Sequence, residues 1–397
     1  MTRSILLAAL LILSASVGAD SYFSSQPNGI GIRQFMTSVR GIGMGGGGLA
    51  AHDSLSLNAW QISTWRHVPN TRGTFSLTYR RIETDLGGDV FRNATAEFAG
   101  VSFAIPIQKD RWVFGAALQP YAQTEYRFRS DVVSGDSIAF TQLTETTGTI
   151  NRAQLNLVWS PREWLGLAVH TNFYFGTYED QYDFQFDNTS YLDSDHRVQY
   201  RLSGAGLGFS ADVQPVPQLT LAGFVDLAPS MGMDVEYTSP IDNFDQPERT
   251  FDTFPMHLGV SGAYELGKRW RMEGSFSQQS WENALTTSPA NYDSWSRLGV
   301  GVERSVSHAR RPAFLSRFDW RFGYSRTQIG YRFNGDAVVE QAAHAGIGIP
   351  FSDFNNRIDV AVMAGIRGDQ GSNLAEERFV NVLFSISVGE LWFQSSR

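Results

Sequence analysis

Alternation of apolar and polar residues along most of the chain limits the folds available to this sequence more than any other feature does. Val380, Val382 and Phe384 occupy every second position of one such run, with polar or small residues between most of them. This alternation is typical of β-strands, because successive side chains of a strand point to opposite faces. About fourteen such segments follow Arg72, and we predict strands over 73–82, 94–106, 111–127, 147–160, 164–184, 197–213, 218–238, 252–265, 269–282, 294–306, 317–333, 337–350, 356–367 and 378–393.

Two all-β architectures accommodate so many alternating strands. In a soluble sandwich or propeller the apolar faces meet in a central core. In a transmembrane barrel they face lipid, while the polar faces line the lumen. The sequence shows no four-stranded repeat of about 40–50 residues, and its polar faces carry Arg, Asp, Asn and His in mid-strand. We therefore predict an all-β fold, a transmembrane antiparallel β-barrel of about fourteen strands.

The connections between the predicted strands differ in length and charge. Short connections lie at 107–110, 161–163, 215–217 and 266–268, and longer ones at 129–146, 185–196, 239–251, 283–293 and 368–377. Barrels of the outer membrane have short periplasmic turns and longer external loops. Both lysines, Lys109 and Lys268, lie in short connections, and the longer ones are rich in acidic residues. We therefore expect the bacterial cell outer membrane as the location, with lipid and lipopolysaccharide as neighbours.

The N-terminus has the features of a secretory signal peptide. Arg3 supplies a positive charge, residues 5–13 are apolar, and Val17-Gly18-Ala19 resembles a cleavage site. The apolar run is too short to cross a bilayer as a helix. An exported barrel needs barrel-insertion machinery, which is therefore an expected partner. The predicted organisation is a signal peptide at 1–19, an N-terminal hatch at 20–70 and the barrel at 71–397.

Composition argues against several classes of function. The chain has no cysteine, so disulfides and thiolate metal sites are excluded, and its net charge of −8 disfavours nucleic acid as a partner. Its seven histidines lack the spacing of metal ligands, and we expect no metal and no cofactor. No Gly-x-Ser-x-Gly nucleophile turn is present. We predict a protein that is not an enzyme.

The segment before the first predicted strand does not alternate. Residues 38–48 read SVRGIGMGGGG and are followed by Leu-Ala-Ala-His-Asp. This segment resembles the mature N-terminus of the long-chain fatty acid outer-membrane transporter family (the FadL type), which has an Arg-containing, Met-Gly-Gly-rich stretch, a short helix with an acidic residue and an Asn-Pro-Ala-Gly turn. The matching residues are Arg40, Gly43, Met44, Gly45, Gly46, Ala50 and Asp53, with Asn58-Ala59-Trp60-Gln61, which lacks the proline, at the turn.

The resemblance implies a barrel that is occluded by an N-terminal hatch and has a lateral opening in its wall. The implied function is passive uptake of a small hydrophobic ligand, such as a fatty acid or an aromatic hydrocarbon, by a monomer. Two alternatives stay open, a secretion-accessory barrel of the PorV/PorQ type, which shares the motif, and a general porin. Along the implied passage we expect Arg40, Met44, Gly45, Gly46, Asp53, Asn58, His170, Arg321 and Arg367.

Alternation also predicts which charged side chains face the lumen. An arginine that faced lipid at mid-membrane would cost ~2–4 kcal/mol, so we place inside the barrel Arg80, Arg152, Arg271, Glu273, Arg297, Glu303, Asp319, Arg321, Asp359 and Arg367. His170, His257 and His344 are expected to face the lumen as solvated side chains. Most of the charges should pair with each other and fasten the hatch to the wall. Arg321 and Arg367, on strands that are next but one, could converge on a carboxylate headgroup, which suits a guanidinium.

Overall fold

The structure is a computed structural model that describes residues 21–25, 30–50, 52–133, 139–188, 190–239, 254–281, 291–307, 313–352 and 355–390. The expected signal peptide at 1–19 lies outside these residues. Within them, no helix is both long enough and apolar enough to cross a bilayer.

Strands dominate the described part of the chain. They are β1 (Ile32–Arg33), β2 (Thr71–Leu86), β3 (Asp89–Gln108), β4 (Trp112–Val133), β5 (Ala139–Arg162), β6 (Leu165–Phe186), β7 (Ser194–Val216), β8 (Leu219–Asp226), β9 (Ser230–Thr238), β10 (His257–Leu266), β11 (Trp270–Ser280), β12 (Tyr292–Arg304), β13 (Asp319–Phe333), β14 (Asp336–Phe351), β15 (Asn356–Asp369) and β16 (Ala375–Glu390). Two short α-helices, α1 (Val39–Gly43) and α2 (Gln370–Asn373), accompany three 3₁₀-helices, η1 (Tyr22–Ser24), η2 (Ile62–His67) and η3 (Phe314–Arg317).

The strands from β2 to β16 form a closed antiparallel barrel. Apart from β9, which pairs only with β7, each strand pairs with the next strand along the chain, and the last strand returns to the first, with Glu390 opposite Thr71. Strands β8 and β9 both pair with β7, so together they fill one position in the wall. The barrel therefore has fourteen positions, and the predicted fourteen-stranded barrel is confirmed.

One predicted strand is interrupted. The alternation predicts a single strand over 218–238, but β8 ends at Asp226 and β9 begins at Ser230. Pro229, directly before β9, has no backbone N–H to donate to a ladder, and the N–H of Leu227 bonds to the carbonyl of Leu207 (2.9 Å). The prediction of one continuous strand is wrong here, because a proline ends the regular pairing.

The two faces of the wall follow the predicted alternation. In β2, Phe75 and Tyr79 are 42% and 44% exposed on the outer face, whereas Ser76 and Arg80 are 4% and 7% exposed on the inner face. Outward apolar side chains suit contact with acyl chains. This surface is that of a barrel in the bacterial outer membrane.

The lumen is filled by residues 30–50 and 52–70, which we call the N-terminal segment. Its helix α1 lies against β13, β14, β15 and β16, and η2 lies against β4, β5, β6 and β7. Trp60 and Trp65 of this segment are each 1% exposed. The main apolar core therefore lies inside the barrel, where the segment meets inward-facing aromatic side chains such as Tyr121, Tyr174 and Trp295.

Candidate functional site

The wall has a gap between β3 and β4. From Val101 to Gln108, β3 pairs with β4, where the partner of Val101 is Leu118. Toward the end of the barrel with the longer connections, here called the outer end, residues 89–100 of β3 pair only with β2, while β4 continues its pairing with β5. All of these residues belong to the described chain, so the backbone ladder between the two strands is open over this stretch.

Local sequence explains where the strands separate. Opposite Ser76 and Leu77 of β2 stand Gly100 and Phe98, so Ala99 is an extra residue and forms a β-bulge. A bulge bends its strand and increases the local twist. Gly100 has φ +153°, a backbone conformation that residues with a Cβ rarely adopt. Across the gap, Pro120 of β4 has no N–H, which suits a strand edge that lacks a partner.

The N-terminal segment occupies the open edge of β4. In β1, Ile32 and Arg33 pair with Gln123 and Ala122 of β4. The N–H of Gln34 extends this contact by donating to the carbonyl of Tyr121 at 2.8 Å. A short piece of the segment thus replaces β3 as the neighbour of β4, and it stands between the lumen and the gap.

A narrow cavity of about 100 Å³ lies behind the gap. Its wall is formed by both strands and by the N-terminal segment, and it includes Arg33, Met36, Glu97, Phe98, Pro120, Arg297 and Arg367. Pockets that hold drug-sized ligands usually measure about 300–1,000 Å³. A second recess of about 260 Å³ lies nearer the outer end of the gap and is lined by Phe91, Tyr126 and Phe128 among others. Both volumes are below the range typical of pockets for drug-sized ligands.

Arg33 differs from the other arginines of this cavity because its buried guanidinium is surrounded mainly by aromatic rings. It is 8% exposed, and its guanidinium carbon lies 4.2 Å from the ring centre of Trp295, 5.1 Å from that of Tyr121 and 5.3 Å from that of Trp60. Its Nη2 is 2.9 Å from Nδ1 of His257, but its Nε and Nη1 have no hydrogen-bond partner among the described residues. No carboxylate of these residues lies within salt-bridge distance, and burial lowers the pKa of Arg33.

Buried ion pairs hold the N-terminal segment at the end with the short turns, here called the inner end. Arg40 donates to Glu303 of β12 at 2.6 and 2.8 Å, and Asp53 pairs with Arg357 of β15 at 2.5 Å. Arg40 also lies 3.5 Å from Asp53, which links the two pairs. Burial alone would raise the pKa of Asp53, but Arg357 and Arg40 hold that pKa well below its usual value. Arg40 and Asp53, two of the predicted site residues, therefore fasten the N-terminal segment to the wall.

The structure does not bring Arg321 and Arg367 together. Arg321 contacts three carboxylates, those of Glu303 (2.6 Å), Asp319 (3.1 Å) and Asp359 (2.6 Å). Arg367 contacts Glu340 (2.7 Å), Glu377 (2.9 Å) and the hydroxyl of Ser21 (3.1 Å). Arg321 stands opposite Gly346 of β14, which in turn stands opposite Ala361 of β15. Ala361 is six residues from Arg367 along β15, which corresponds to roughly 20 Å at about 3.3 Å per residue. The expected convergence on one headgroup is wrong, although Arg367 does line the cavity.

The glycine-rich run packs backbone to backbone against the wall. A Cβ on Gly301 would lie 2.4 Å from the carbonyl oxygen of Met44, and one on Gly323 would lie 2.2 Å from the nitrogen of Gly45. Gly45 and Gly46 have φ values of +76° and +74°, which favour glycine. Glycine is needed on both surfaces, and the predicted site residues Met44, Gly45 and Gly46 form a close-packed contact in this structure.

Two further predicted residues have structural partners. Asn58 donates to the carbonyl of Gly48 (2.7 Å), and its side-chain oxygen accepts the N–H of Trp60 (2.9 Å), so it shapes the turn before η2. Nε2 of His170 lies 2.6 Å from Oδ1 of Asp226, at the end of β8. His170, His257 and His344 do face inward but are only 2%, 2% and 4% exposed. The expectation that they are solvated is wrong, because the N-terminal segment and neighbouring side chains fill the lumen.

Sequence reasoning missed two sets of residues. Arg33 stands in a two-residue strand with no alternation, so no pattern indicated its position. His52, His67 and Asp212 each offer a ligand atom, and these atoms lie within 4.8 Å of one another. The expectation of no metal site rested on the spacing of histidines along the sequence. Such spacing cannot reveal a group that the fold assembles from distant residues.

Solved structures share this fold. They include a FadL homologue from Pseudomonas aeruginosa (12% identical, TM-score 0.64, covering 90% of this chain and 98% of that chain). The Pseudomonas putida toluene transporter TodX (14% identical, TM-score 0.59, 90% and 98%) and the monoaromatic hydrocarbon channel CymD (12% identical, TM-score 0.55, 92% and 99%) are also similar. The FadL-type resemblance is thus confirmed for the fold.

The sequence itself places the chain in a family. No curated protein matches it at a significant level. The family model described as BamG, however, matches residues 1–397. The fourteen-position barrel with its buried N-terminal segment therefore belongs to the BamG family.

Proposed function

We propose that this protein is an outer-membrane passage for small hydrophobic molecules, which leave the lumen sideways between β3 and β4. The observation that carries this proposal is the open ladder between residues 89–100 of β3 and the facing part of β4. A lateral exit suits an apolar molecule, because it moves into acyl chains without entering water. The similarity in fold to a FadL homologue, a toluene transporter and a monoaromatic hydrocarbon channel supports the same function.

Passage would be passive, since transfer of apolar surface from water to an apolar site is itself favourable, by roughly 25 cal/mol per Å². The cavity of about 100 Å³ is too small for such a ligand, so the piece of the N-terminal segment that pairs with β4 must move. That piece has only two backbone pairs with β4, and its other contacts with the wall include apolar packing and the hydrogen bonds from Tyr178 and Tyr331. The N-terminal segment would thus serve as a hatch, and the occluded lumen disfavours a general porin.

Arg33 would favour ligands with a carboxylate headgroup. A buried guanidinium without a counter-charge is costly, and a ligand carboxylate would offset that cost through charge-assisted hydrogen bonds. The three aromatic rings around Arg33 would contact the apolar part of the same ligand. Hydrophobic carboxylic acids are therefore the proposed substrate class, with Arg33 in the headgroup-binding role that we expected for Arg321 and Arg367.

Removal of the bulge tests the passage. Deletion of Ala99 places Gly100 and Phe98 in direct succession opposite Ser76 and Leu77, so β3 can run on beside β4 and close the gap. Because a bulge is what bends this strand away, we expect uptake of radiolabelled oleate to fall by about tenfold or more. The measurement uses Gram-negative cells that lack their own fatty-acid transporter.

Two glycine variants provide the matched comparison. Gly100→Ala introduces a Cβ at a positive φ in the bulge and should lower uptake less than the deletion does. Gly274→Ala, in β11, adds a Cβ where no atom lies within 4 Å and should leave uptake unchanged. Full oleate uptake by a folded barrel without Ala99 would rule out the exit between β3 and β4.

A further inference from the structure

Two histidines of the N-terminal segment meet an aspartate of the wall near the inner end. His52 and His67 lie with ring centres 3.9 Å apart, and Nε2 of His52 is 3.6 Å from Oδ2 of Asp212 in β7. One ligand atom from each residue fits within 4.8 Å of the other two. The two histidines are separated from Asp212 by more than 140 residues, so only the fold creates this group.

Parts of this group have no partner in the described protein. Asp212 is 1% exposed, and its Oδ1 is buried without a hydrogen-bond partner. Nε2 of His67 is also buried without a partner. Buried polar atoms are nearly always satisfied in folded proteins, and two orphaned atoms in one cluster therefore indicate a ligand. His52 keeps 17% of its side chain exposed, which leaves a route from solvent.

The neighbouring arginines leave room for a cation. Arg66 pairs with Oδ2 of Asp212 at 2.8 Å and donates to the carbonyl of Glu163 at 2.5 Å, so Oδ1 of Asp212 stays free for another bond. Arg271 also lies near and pairs with Glu265, which offsets its charge. The local field is therefore less positive than the arginines alone would make it.

We propose that His52, His67 and Asp212 form a binding site for a transition-metal dication such as Zn²⁺, which links the N-terminal segment to the wall. Two imidazoles and one carboxylate are a donor set that suits Zn²⁺ or Cu²⁺ better than Mg²⁺ or Ca²⁺. Tetrahedral Zn²⁺ with bonds of about 2.0–2.1 Å needs donor atoms roughly 3.3 Å apart. The donor atoms lie within 4.8 Å of one another, so metal binding requires them to move closer by up to roughly 1.5 Å, and water would take the fourth position.

The three proposed ligands come from both the N-terminal segment and the barrel wall. His52 precedes η2, His67 is its last residue, and Asp212 lies in β7. A bound metal therefore closes a bridge across the base of the N-terminal segment, beside the pair between Arg66 and Asp212. It fixes residues 52–67 and leaves β1, at the gap, unaffected.

Metal titration of the purified, detergent-solubilised full chain tests the site. Isothermal titration with Zn²⁺ should give one site with a dissociation constant in the micromolar range or below. Co²⁺ should give visible absorption bands of a nitrogen- and oxygen-ligated ion. His52→Ala and His67→Ala should each weaken Zn²⁺ binding by at least about tenfold, since each loses a ligand. His196→Ala, which removes a histidine from the other end of β7, should bind as the unchanged protein does.

A second readout separates a bridge from surface binding. Zn²⁺ should slow amide exchange in residues 52–67 of the unchanged protein, and it should not do so in the His67→Gln variant, whose amide nearly preserves the side-chain size. The mobility of unheated protein in gel electrophoresis verifies that each variant is folded. Equal Zn²⁺ affinity in the folded His52→Ala, His67→Ala and unchanged proteins, or no Zn²⁺ binding at millimolar concentration, would overturn the proposal.

Discussion

The N-terminal segment is held in two different ways at its two ends. Its inner part, residues 39–67, is fastened by buried ion pairs to three separate strands, through Glu303, Arg357 and Asp212. Its outer part, residues 30–37, has a two-residue strand against β4, hydrogen bonds from the hydroxyls of Tyr178 and Tyr331, and one buried arginine that forms no direct pair with a carboxylate of the described residues. The same short segment thus combines an anchor with a weakly held portion.

This difference shows which part can move. Removal of one partner from a buried ion pair costs about 3–5 kcal/mol, because a charge stays buried alone. A single backbone hydrogen bond contributes only about 0.5–1.5 kcal/mol net. Local opening begins where contacts are weakest. Residues 30–37 are held to the wall by apolar packing and hydrogen bonds such as those from Tyr178 and Tyr331, without a direct ion pair among the described residues, so they can leave the gap while residues 39–50 and 52–67 stay in place. The wall then needs no rearrangement beyond the bulge that it already has.

Loss of the anchor should give the largest effect. Glu303 accepts from both Arg40 and Arg321 at 2.6 Å, so Glu303→Ala leaves two buried guanidinium groups short of a partner. We expect the free energy of unfolding to fall by about 3–5 kcal/mol, measured by urea denaturation in lipid vesicles.

The matched control for this change is a surface ion pair. Glu83→Ala removes the partner of Arg92, whose side chain is 62% exposed, and exposed pairs contribute about 0–1 kcal/mol. Similar losses in the Glu303 and Glu83 variants would show that the inner ion pairs do not act as an anchor.

The strands and their faces could be predicted because alternation is a local property. Each predicted strand corresponds to one strand of the structure except 218–238, which is divided into β8 and β9, and Arg321 and Arg367 both face inward as expected. Their partners could not be predicted, since these depend on the register of five strands, β12 to β16, and on where the N-terminal segment crosses them. The gap could not be predicted either, because nothing in the sequence shows that the pairing of β3 with β4 ends near the bulge at Ala99.

The weakly held part is best probed through its charge. Arg33→Met keeps an extended, apolar side chain between the aromatic rings but removes the guanidinium. Hydrogen bonds to charged groups contribute about 1.5–3 kcal/mol, so affinity for oleate should fall by roughly 10- to 150-fold. Affinity for toluene should change little. Quenching of the fluorescence of Trp60 and Trp295 in the detergent-solubilised barrel measures both affinities.

The stability of this variant distinguishes the outer part from the anchor. Arg33 has no direct ion pair to break within the described chain and is attracted by Asp226 only at longer range, so Arg33→Met should keep or raise the free energy of unfolding, in contrast to Glu303→Ala. Arg201→Met, at a surface arginine with a 61% exposed side chain, should change neither affinity. Equal losses for oleate and toluene would refute the headgroup role of Arg33.

The smallest expected effect, that of Tyr331→Phe, tests where the movable part of the N-terminal segment ends. The hydroxyl of Tyr331 in β13 donates to the carbonyl of Gly31 at 2.8 Å, beside β1. Tyr331→Phe keeps the ring and removes that bond, which should cost about 1 kcal/mol and should speed amide exchange in residues 30–34 without affecting residues 39–67. Tyr324→Phe removes an outward hydroxyl of the same strand, bonded to Gln341, and should alter neither region. If exchange accelerated equally in both regions, the segment would move as one body and the division into anchor and movable part would fail.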